Sequence, residues 1–326
     1  LRRALEASMS ELVTFGETML RLTPPRGHRL SRVDRLDVHV GGAESNVAVG
    51  AANLGVDAAW LSLLPDSELG ERIAYALRGE GVEPLVTWTD DGRVGTYYLE
   101  RGGMPRGRDV VYDREGAPIR AARPEQVAVD RVRAADVFFT TGITPALSDR
   151  LVETTGSLLR TASDAGARTA FDVNYREKLW TPAEARETLA DLFPAVDVLF
   201  AAERDARTVL GFDGDAEALA SGLAAEFDFE TVVITRGEKG ALARHGGTTT
   251  EQGTFPADTV DPLGSGDAFA SGFLAERLDG ASIDEALAYG AATAALKRTI
   301  EGDMARVSAD EVRAIVEDGG GVDIER

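Results

Sequence analysis

The chain has 326 residues, 44% of them hydrophobic, and can bury the core of one large α/β domain with an appendage or of two smaller domains. Its 55 acidic residues outnumber its 35 basic ones, and the resulting net charge of −20 disfavours nucleic-acid binding. No apolar run approaches the roughly 18 residues of a membrane span, and the absence of cysteine excludes disulfides and thiolate chemistry and favours a cytoplasmic location.

Short apolar or β-branched runs alternate along the chain with longer amphipathic runs, which is the pattern of a parallel sheet covered by helices. Strands are predicted at residues 11–15, 57–63, 136–140, 168–173, 196–200 and 230–235. Helices are predicted at residues 43–54, 68–78, 148–165, 182–193 and 215–227, several of them entered through Ser, Thr or Asp. Residues 16–38 and 92–115 differ, because they consist of short extended pieces with turn residues between them.

The two ends of the chain are predicted to lie outside the main domain, which we place at residues 9–316. The first residues, LRRALEAS, contain no apolar core long enough for a secretory signal. Met9 is the expected natural start, with residues 1–8 as an upstream extension. Residues 317–326 include three consecutive glycines and are predicted to form a flexible tail.

A glycine-rich turn, DPLGSGD, runs from Asp261 to Asp267 and is followed by an apolar helical run. Small residues at 264–266 allow backbone N–H groups to face outward, and the helix dipole adds partial positive charge, so this turn can stabilise an anion. Asp267, in the first helical turn, is placed to take a proton from a hydroxyl that attacks a phosphate. The alternative is a tight turn with an ordinary acidic residue at a helix start.

Two motifs together resemble those of the ribokinase-like sugar kinases of the PfkB family. The turn at Asp261–Asp267 is similar to the family motif D-[TP]-x-G-[AS]-G-D, and VGGAESNVAVGAANLG at residues 40–55 is similar to a second family motif. Both occur in the family's order, which is more specific than either alone. The resemblance spans residues 12–316. It implies an α/β fold in which helices flank a central, mostly parallel sheet, with a small β lid over the sugar at about residues 16–38 and 92–115.

The resemblance also implies roles for individual residues. Asp267 would be the catalytic base, with Gly264, Ser265 and Gly266 as the anion hole. The implied substrate-binding residues are Gly42, Ala43, Glu44, Ser45, Asn46, Tyr97, Tyr112, Arg114, Arg176, Asp267 and Asp303. The implied ATP-binding residues are Asn174, Tyr175, Arg176, Thr235, Gly237, Lys239 and Gly240, together with Gly264, Ser265 and Gly266. For the segment TRGEKGA at residues 235–241, a simple hairpin turn is an equal alternative.

The implied substrate is an acidic sugar. The segments FGETMLRLTPP and AFDVNYREKLW resemble those of family members that phosphorylate 2-keto-3-deoxygluconate at its C6 hydroxyl in Entner–Doudoroff-type sugar degradation. Arg114 and Arg176 could clamp the carboxylate with paired charge-assisted hydrogen bonds. The alternatives are ion pairs of these arginines with local acids such as Asp113 or Glu177. Tyr97 and Tyr112 could instead be packing aromatics, and Asp303 an unrelated solvated acid.

ATP and Mg²⁺ are the expected cofactors. The NxxE motif that many family members use to organise Mg²⁺ is altered here to Ala202-Glu203-Arg204-Asp205, so no metal ligand is assigned. The chain contains no GxxxxGK[ST] sequence and no HRD or DFG set, which argues against P-loop and protein kinases. Three scattered histidines make a zinc site improbable.

Two other functions remain open: a kinase of a neutral sugar such as fructose or ribose, and a catalytically silent sugar-binding regulatory protein. Arg114 and Arg176 argue against the first, and the intact GSG and Asp267 argue against the second. A homo-oligomer is expected. With three lysines among its basic residues, the acidic chain resembles haloarchaeal cytoplasmic proteins, although a GC-rich genome also replaces Lys by Arg.

Overall fold

The computed structural model describes residues 12–102, 105–107 and 109–319. The strands are β1 Leu12–Phe15, β2 Met19–Thr23, β3 Asp37–Gly41, β4 Ala58–Pro65, β5 Glu83–Thr89, β6 Thr96–Glu100, β7 Asp109–Asp113, β8 Val137–Thr141, β9 Arg168–Asp172, β10 Val198–Ala202, β11 Thr231–Thr235, β12 Ala241–His245 and β13 Thr248–Gln252. The α-helices are α1 Ala43–Asn53, α2 Glu68–Gly79, α3 Val129–Arg133, α4 Asp149–Ala165, α5 Pro182–Leu192, α6 Glu203–Thr208, α7 Ala216–Phe227, α8 Ser265–Leu278, α9 Ile283–Arg298 and α10 Ala309–Asp318.

Nine strands form one sheet in the order β13-β12-β11-β10-β9-β8-β1-β4-β5. The strands from β11 to β5 are parallel, and the β12–β13 hairpin is antiparallel to them at one edge. The six predicted strands are six neighbours in this sheet, and the five predicted helices are present, so the α/β prediction is confirmed. Of the strands in this sheet that were not predicted, β5 and β13 lie at its two edges and β12 lies beside β13. Polar residues are tolerated at an edge, so β5 and β13 lack the long apolar runs of the central strands.

Helices cover both faces of the sheet. Successive residues of a strand point to opposite faces, so Leu12 and Val13 of β1 belong to different cores. Val13 packs in a large core with residues of α4, α5 and α7, such as Leu158. Leu12 packs in a second core with α1, α8 and α9, where Phe273 lies edge-on to Phe200 of β10. Helices α1 and α8, which carry the two glycine-rich motifs, therefore lie side by side on one face.

Strands β3, β2, β6 and β7 form a second, four-stranded sheet in that order. The central pair, β2 and β6, is parallel, and the outer pairs are antiparallel. These strands come from the two segments predicted to form a lid, although β3 continues to Gly41, beyond the predicted boundary at residue 38. In the β6–β7 pair, Tyr97 lies directly opposite Tyr112.

The C-terminal boundary was predicted slightly too early. Helix α10 continues to Asp318, two residues into the segment predicted to be a tail, because a Ser308–Glu311 capping box starts the helix and Gly319, with a φ of 66°, ends it. The remaining tail residues, 320–326, and the predicted extension at residues 1–8 with Met9 lie outside the described residues. In the part of the chain that is described, no helix is long and apolar enough to cross a membrane.

The charge of −20 leads to a testable prediction about folding. We expect the melting temperature to rise steeply between dilute buffer and molar KCl, because salt shortens the Debye length from about 10 Å at 0.1 M to about 3 Å at 1 M and so screens the repulsion between carboxylates. Calorimetry over a KCl series measures the effect. A melting temperature that does not change with salt would contradict the interpretation of the chain as salt-adapted.

Candidate active site

The site is built around the N-terminus of α8. Gly264 is the residue before the helix and has a φ of 74°, which favours glycine. A Cβ atom at this position would also collide with the backbone carbonyl of Asp303. The N–H groups of Gly264, Gly266 and Asp267 bond to no described residue, whereas that of Ser265 donates to the Pro262 carbonyl at 3.3 Å. Free N–H groups at a helix start are suited to hold an anion.

Asp267 lies in the first turn of α8, half-buried in the cleft. Asn46 of α1 donates its side-chain N–H to Asp267 Oδ2 at 2.7 Å. Burial raises the pKa of Asp267 to about 6, while the Asn46 hydrogen bond and the positive charge of Arg176 oppose the rise. A carboxylate with this pKa can accept a proton near neutral pH.

The predicted residues at the start of α1 line the same cleft, except for Ser45. Ser45 is completely buried outside the cleft, where it donates to the Gly42 carbonyl and accepts from Thr18, so its predicted contact with substrate is not supported. Glu44 is also buried, and its Oε1 accepts three hydrogen bonds from Thr141 and Thr144. Glu44 therefore ties α1 to the end of β8 and has little accessible surface for a sugar.

A buried charge network connects the four-stranded sheet to the glycine-rich turn. Arg21 of β2 is completely buried and lies 3.1 Å from Asp261 Oδ2 and 3.3 Å from Asp303 Oδ2. Tyr97 of β6 donates its hydroxyl to Asp303 Oδ1 at 3.0 Å. Asp303 is thus a buried, paired residue, and the alternative interpretation of Asp303 as an unrelated solvated acid is wrong.

The two predicted arginines have different surroundings. Arg114 is 9% exposed, lies over the ring of Tyr112, and has its Nη2 atom 3.3 Å from Glu17 Oε2. The alternative partner Asp113 is instead paired with Arg93. Arg176 is exposed to the cleft, and its guanidinium makes no hydrogen bond or ion pair with any described residue. Arg176 is therefore available to bind an anionic group.

These groups surround one cleft of about 1000 Å³. The predicted site residues that line it are Gly42, Ala43, Glu44, Asn46, Tyr97, Tyr112, Arg114, Tyr175, Arg176, Gly264, Asp267 and Asp303. The predicted residues that do not line it are Ser45, Asn174, Thr235, Gly237, Lys239, Gly240, Ser265 and Gly266. Since the second set contains most of the predicted ATP contacts, this cleft corresponds to the predicted sugar side of the site.

Residues 9–309 match the model of the pfkB family carbohydrate kinases. The chain belongs to this family. It is 59% identical to a 2-dehydro-3-deoxygalactonokinase of Haloferax volcanii over 97% of this chain and 99% of the relative, and 31% identical to a 2-dehydro-3-deoxygluconokinase of Thermoproteus tenax over 91% and 90%. The crystal structure of a 2-dehydro-3-deoxygluconokinase of Thermotoga maritima has a TM-score of 0.89 and 34% identity, over 94% of this chain and 98% of that chain.

The comparisons confirm the predicted family and the ribokinase-like fold, and the chain is a carbohydrate kinase. The predicted haloarchaeal character is consistent with the Haloferax relative. A putative ribokinase of Escherichia coli in complex with ATP and Mg²⁺ has a TM-score of 0.86 at 21% identity and supports the fold alone.

Asp172, at the end of β9 of the kinase, is an acidic residue near the site that sequence reasoning missed. Burial raises its pKa to about 8, and the negative charge of Asp267 adds to the rise, as does that of Asp205 to a smaller extent. Asp172 lies in the segment AFDVNYREKLW, directly after the apolar strand residues and two positions before Asn174, and this position at a strand end is the signal that indicates a site residue. No group of three or more acidic or histidine side chains that could hold a metal occurs within the described residues.

A magnesium ion fits this site only as part of a nucleotide complex. Mg²⁺ commonly takes one or two carboxylates and fills its remaining positions with phosphate oxygens and water. Asp172 and Asp205, whose negative charge contributes to the raised pKa of Asp172, are the residues that would hold it. Asp205 belongs to the altered NxxE segment and is buried, with an oxygen 3.0 Å from Arg204 Nε.

The predicted nucleotide residues lie at the carboxyl ends of neighbouring strands. Thr235 is the last residue of β11 and lies beside Ala202 of β10. The segment Gly237–Lys239 forms a short 3₁₀ turn that joins β11 to β12, so the sequence forms a hairpin turn as well as matching the family's loop. Carboxyl ends of parallel strands are where open α/β sheets bind ligands. The role of this loop in ATP binding stays a prediction.

Lys297 of α9, which was not predicted, is a completely buried cation beneath the glycine-rich turn. Its ammonium donates to the carbonyls of Asp261 at 3.0 Å and Ile300 at 3.2 Å. Burial lowers its pKa, and the charges of Asp261 and Asp303 oppose this. Lys297 therefore fixes the turn to the segment that carries Asp303.

Replacing Lys297 with Met should destabilise the kinase by about 3–5 kcal/mol, because the buried carbonyls and Asp261 lose their cation. Denaturant unfolding at fixed molar KCl measures the change. Lys239, which is exposed, provides the matched control, and Lys239→Met should change stability by about 0.5 kcal/mol or less. A Lys297→Met variant as stable as this control would contradict the assignment.

Proposed function

We propose that this kinase transfers the γ-phosphoryl group of ATP to the C6 hydroxyl of a 2-keto-3-deoxy sugar acid. The observation that carries the proposal is the presence of Asp267 and the unpaired Arg176 in one cleft. Asp267 supplies a base for a hydroxyl, and Arg176 supplies a positive charge for a carboxylate. In a protein with a net charge of −20, such an unpaired cation favours an anionic substrate.

The geometry supports a direct transfer. Asp267 accepts the proton of the C6 hydroxyl, and its Asn46 hydrogen bond holds the carboxylate in place. The free N–H groups at the start of α8 stabilise charge on the transferring phosphoryl group. Bound Mg²⁺ would neutralise the phosphate oxygens of ATP. Residues Asn174, Tyr175, Thr235, Gly237, Lys239 and Gly240 are proposed to contact the nucleotide.

The substrate is proposed to be 2-keto-3-deoxygluconate or its C4 epimer, 2-keto-3-deoxygalactonate. The relatives from Thermoproteus tenax and Thermotoga maritima are named for the gluconate and support the first. The 59% identical Haloferax relative is named for the galactonate and favours the second. The product would be a 6-phosphate that enters Entner–Doudoroff-type sugar degradation. A cytoplasmic location, where ATP is supplied, is part of this proposal, and a homo-oligomer stays a prediction.

Product analysis tests this function. The protein is incubated with ATP, Mg²⁺ and each ketodeoxy acid in molar KCl, and the product is examined by two-dimensional ³¹P–¹H NMR. We expect the new phosphorus signal to couple to the two C6 protons. Phosphate on another carbon, or no product from either epimer, would overturn the proposal.

A further inference from the structure

Glu17 lies in the connection between β1 and β2, and its side chain lines the cleft that contains Asp267. It is 5% exposed. The Glu17 backbone packs closely against the start of α1, because a Cβ atom on Gly42 would collide with the Glu17 carbonyl oxygen. Glycine at position 42 therefore permits this close approach of Glu17 to the motif that starts α1.

The two carboxylate oxygens of Glu17 are buried, and neither accepts a hydrogen bond from a described residue. Their charged partner is Arg114, whose Nη2 lies 3.3 Å from Oε2. Glu44, the other buried glutamate of the cleft, differs because its Oε1 accepts three hydrogen bonds. Burial raises the pKa of Glu17, while Arg114 and Arg120 oppose the rise. Buried acceptors without donors are costly, so they mark a place where a ligand can supply donors.

The chemistry of Glu17 selects the donor. An ionised carboxylate only accepts hydrogen bonds, and it repels the carboxylate and phosphate groups of the substrates. Neutral hydroxyl groups are therefore the suitable partners. The ion pair between Glu17 and Arg114 also changes the role of Arg114, because Glu17 balances its charge. Arg176, in contrast, forms no ion pair with a described residue, so its charge remains available in the cleft.

We propose that Glu17 is a specificity-determining residue that accepts a hydrogen bond from a secondary hydroxyl, at C4 or C5, of the sugar acid. This inference rests on the proposed function and deepens it. The substrate then lies with its C6 hydroxyl at Asp267, a secondary hydroxyl at Glu17 and its carboxylate at Arg176. Arg114 acts mainly through Glu17, by keeping the acceptor ionised and in position.

A cycle of enzyme and substrate changes tests the proposal. Wild-type protein and Glu17→Gln are assayed with the ketodeoxy acid and with analogues that lack either the C4 or the C5 hydroxyl. Wild type should lose about 5- to 30-fold in kcat/KM on one analogue, and Glu17→Gln should lose about the same on the complete substrate, mainly through KM. When Glu17→Gln is assayed with that analogue, the two losses should not add, since the enzyme change and the substrate change remove the same hydrogen bond.

Two further variants keep the result clear. Glu17→Asp retains the charge beside Arg114 and should show a smaller loss, and it completes the cycle if Glu17→Gln does not fold. Glu80→Gln, which removes a surface partner of Arg306, should behave as wild type. If the loss from Glu17→Gln and the loss from the missing hydroxyl add to within about twofold, for the C4 analogue and for the C5 analogue alike, the role of Glu17 is overturned while the proposed function remains intact. Absence of wild-type activity on the complete ketodeoxy acids would overturn both.

Discussion

Replacing Asp267 with Asn is expected to lower kcat by about 10²–10⁴-fold, the usual contribution of a positioned general base. Asn has nearly the same shape, so the turn and the N–H groups at the start of α8 should be preserved. ATP binding, measured by calorimetry, should therefore change little. Asp279→Asn, at the exposed far end of the same helix, is the matched control and should retain full activity.

The pH dependence gives an independent check of the same assignment. Burial raises the pKa of Asp267 to about 6, and a general base works only when it is deprotonated. The rate of the wild-type enzyme should therefore fall as the pH drops through about 6, and this acid limb should be absent from Asp267→Asn. A variant within about threefold of wild type would show that another group removes the proton.

Replacing Arg176 with Leu is expected to lower kcat/KM for the ketodeoxy acid by about 10- to 150-fold, because a charge-assisted contact of about 1.5–3 kcal/mol is lost. Fructose has no carboxylate, so its poor turnover should change little. Arg150→Leu, on the surface of α4 and outside the cleft, should leave both substrates unaffected. Equal losses on the acid and on fructose would mean that Arg176 serves ATP or the fold.

The central sheet could be predicted because its strands are buried on both faces and read as apolar runs, as in Leu12–Phe15 and Thr231–Thr235. The edge strands carry no such signal. Helix starts were equally readable where a capping residue precedes them, as Ser148 does before α4. The glycine-rich turn at Gly264 was found because its backbone conformation restricts the sequence so strongly.

Contacts between distant segments could not be predicted in the same way. An ion pair of Arg114 with a neighbour such as Asp113 was the alternative to substrate binding, but adjacent residues in an extended segment point in opposite directions. Arg114 therefore reaches Glu17, and Asp113 reaches Arg93. Lys297 could not be singled out from the sequence, because nothing local indicates that its ammonium is buried under the turn.

Residues that are adjacent in a motif can also have side chains that face different directions in the structure. Ser45 and Asn46 are adjacent in α1, yet a helix turns by about 100° per residue. Asn46 consequently reaches Asp267, while Ser45 faces Thr18. A match of consecutive residues to a family motif therefore overestimates the number that face the substrate.

The preference for an acidic sugar is tested most directly by one comparison of kcat/KM. The wild-type protein is assayed with ATP and Mg²⁺ in molar KCl on both ketodeoxy acid epimers, fructose and ribose. The unpaired Arg176, in the same cleft as Asp267, predicts that at least one ketodeoxy acid has a kcat/KM about 10-fold or more above that of both neutral sugars. A kcat/KM for fructose or ribose that is higher than for both acids would contradict the account.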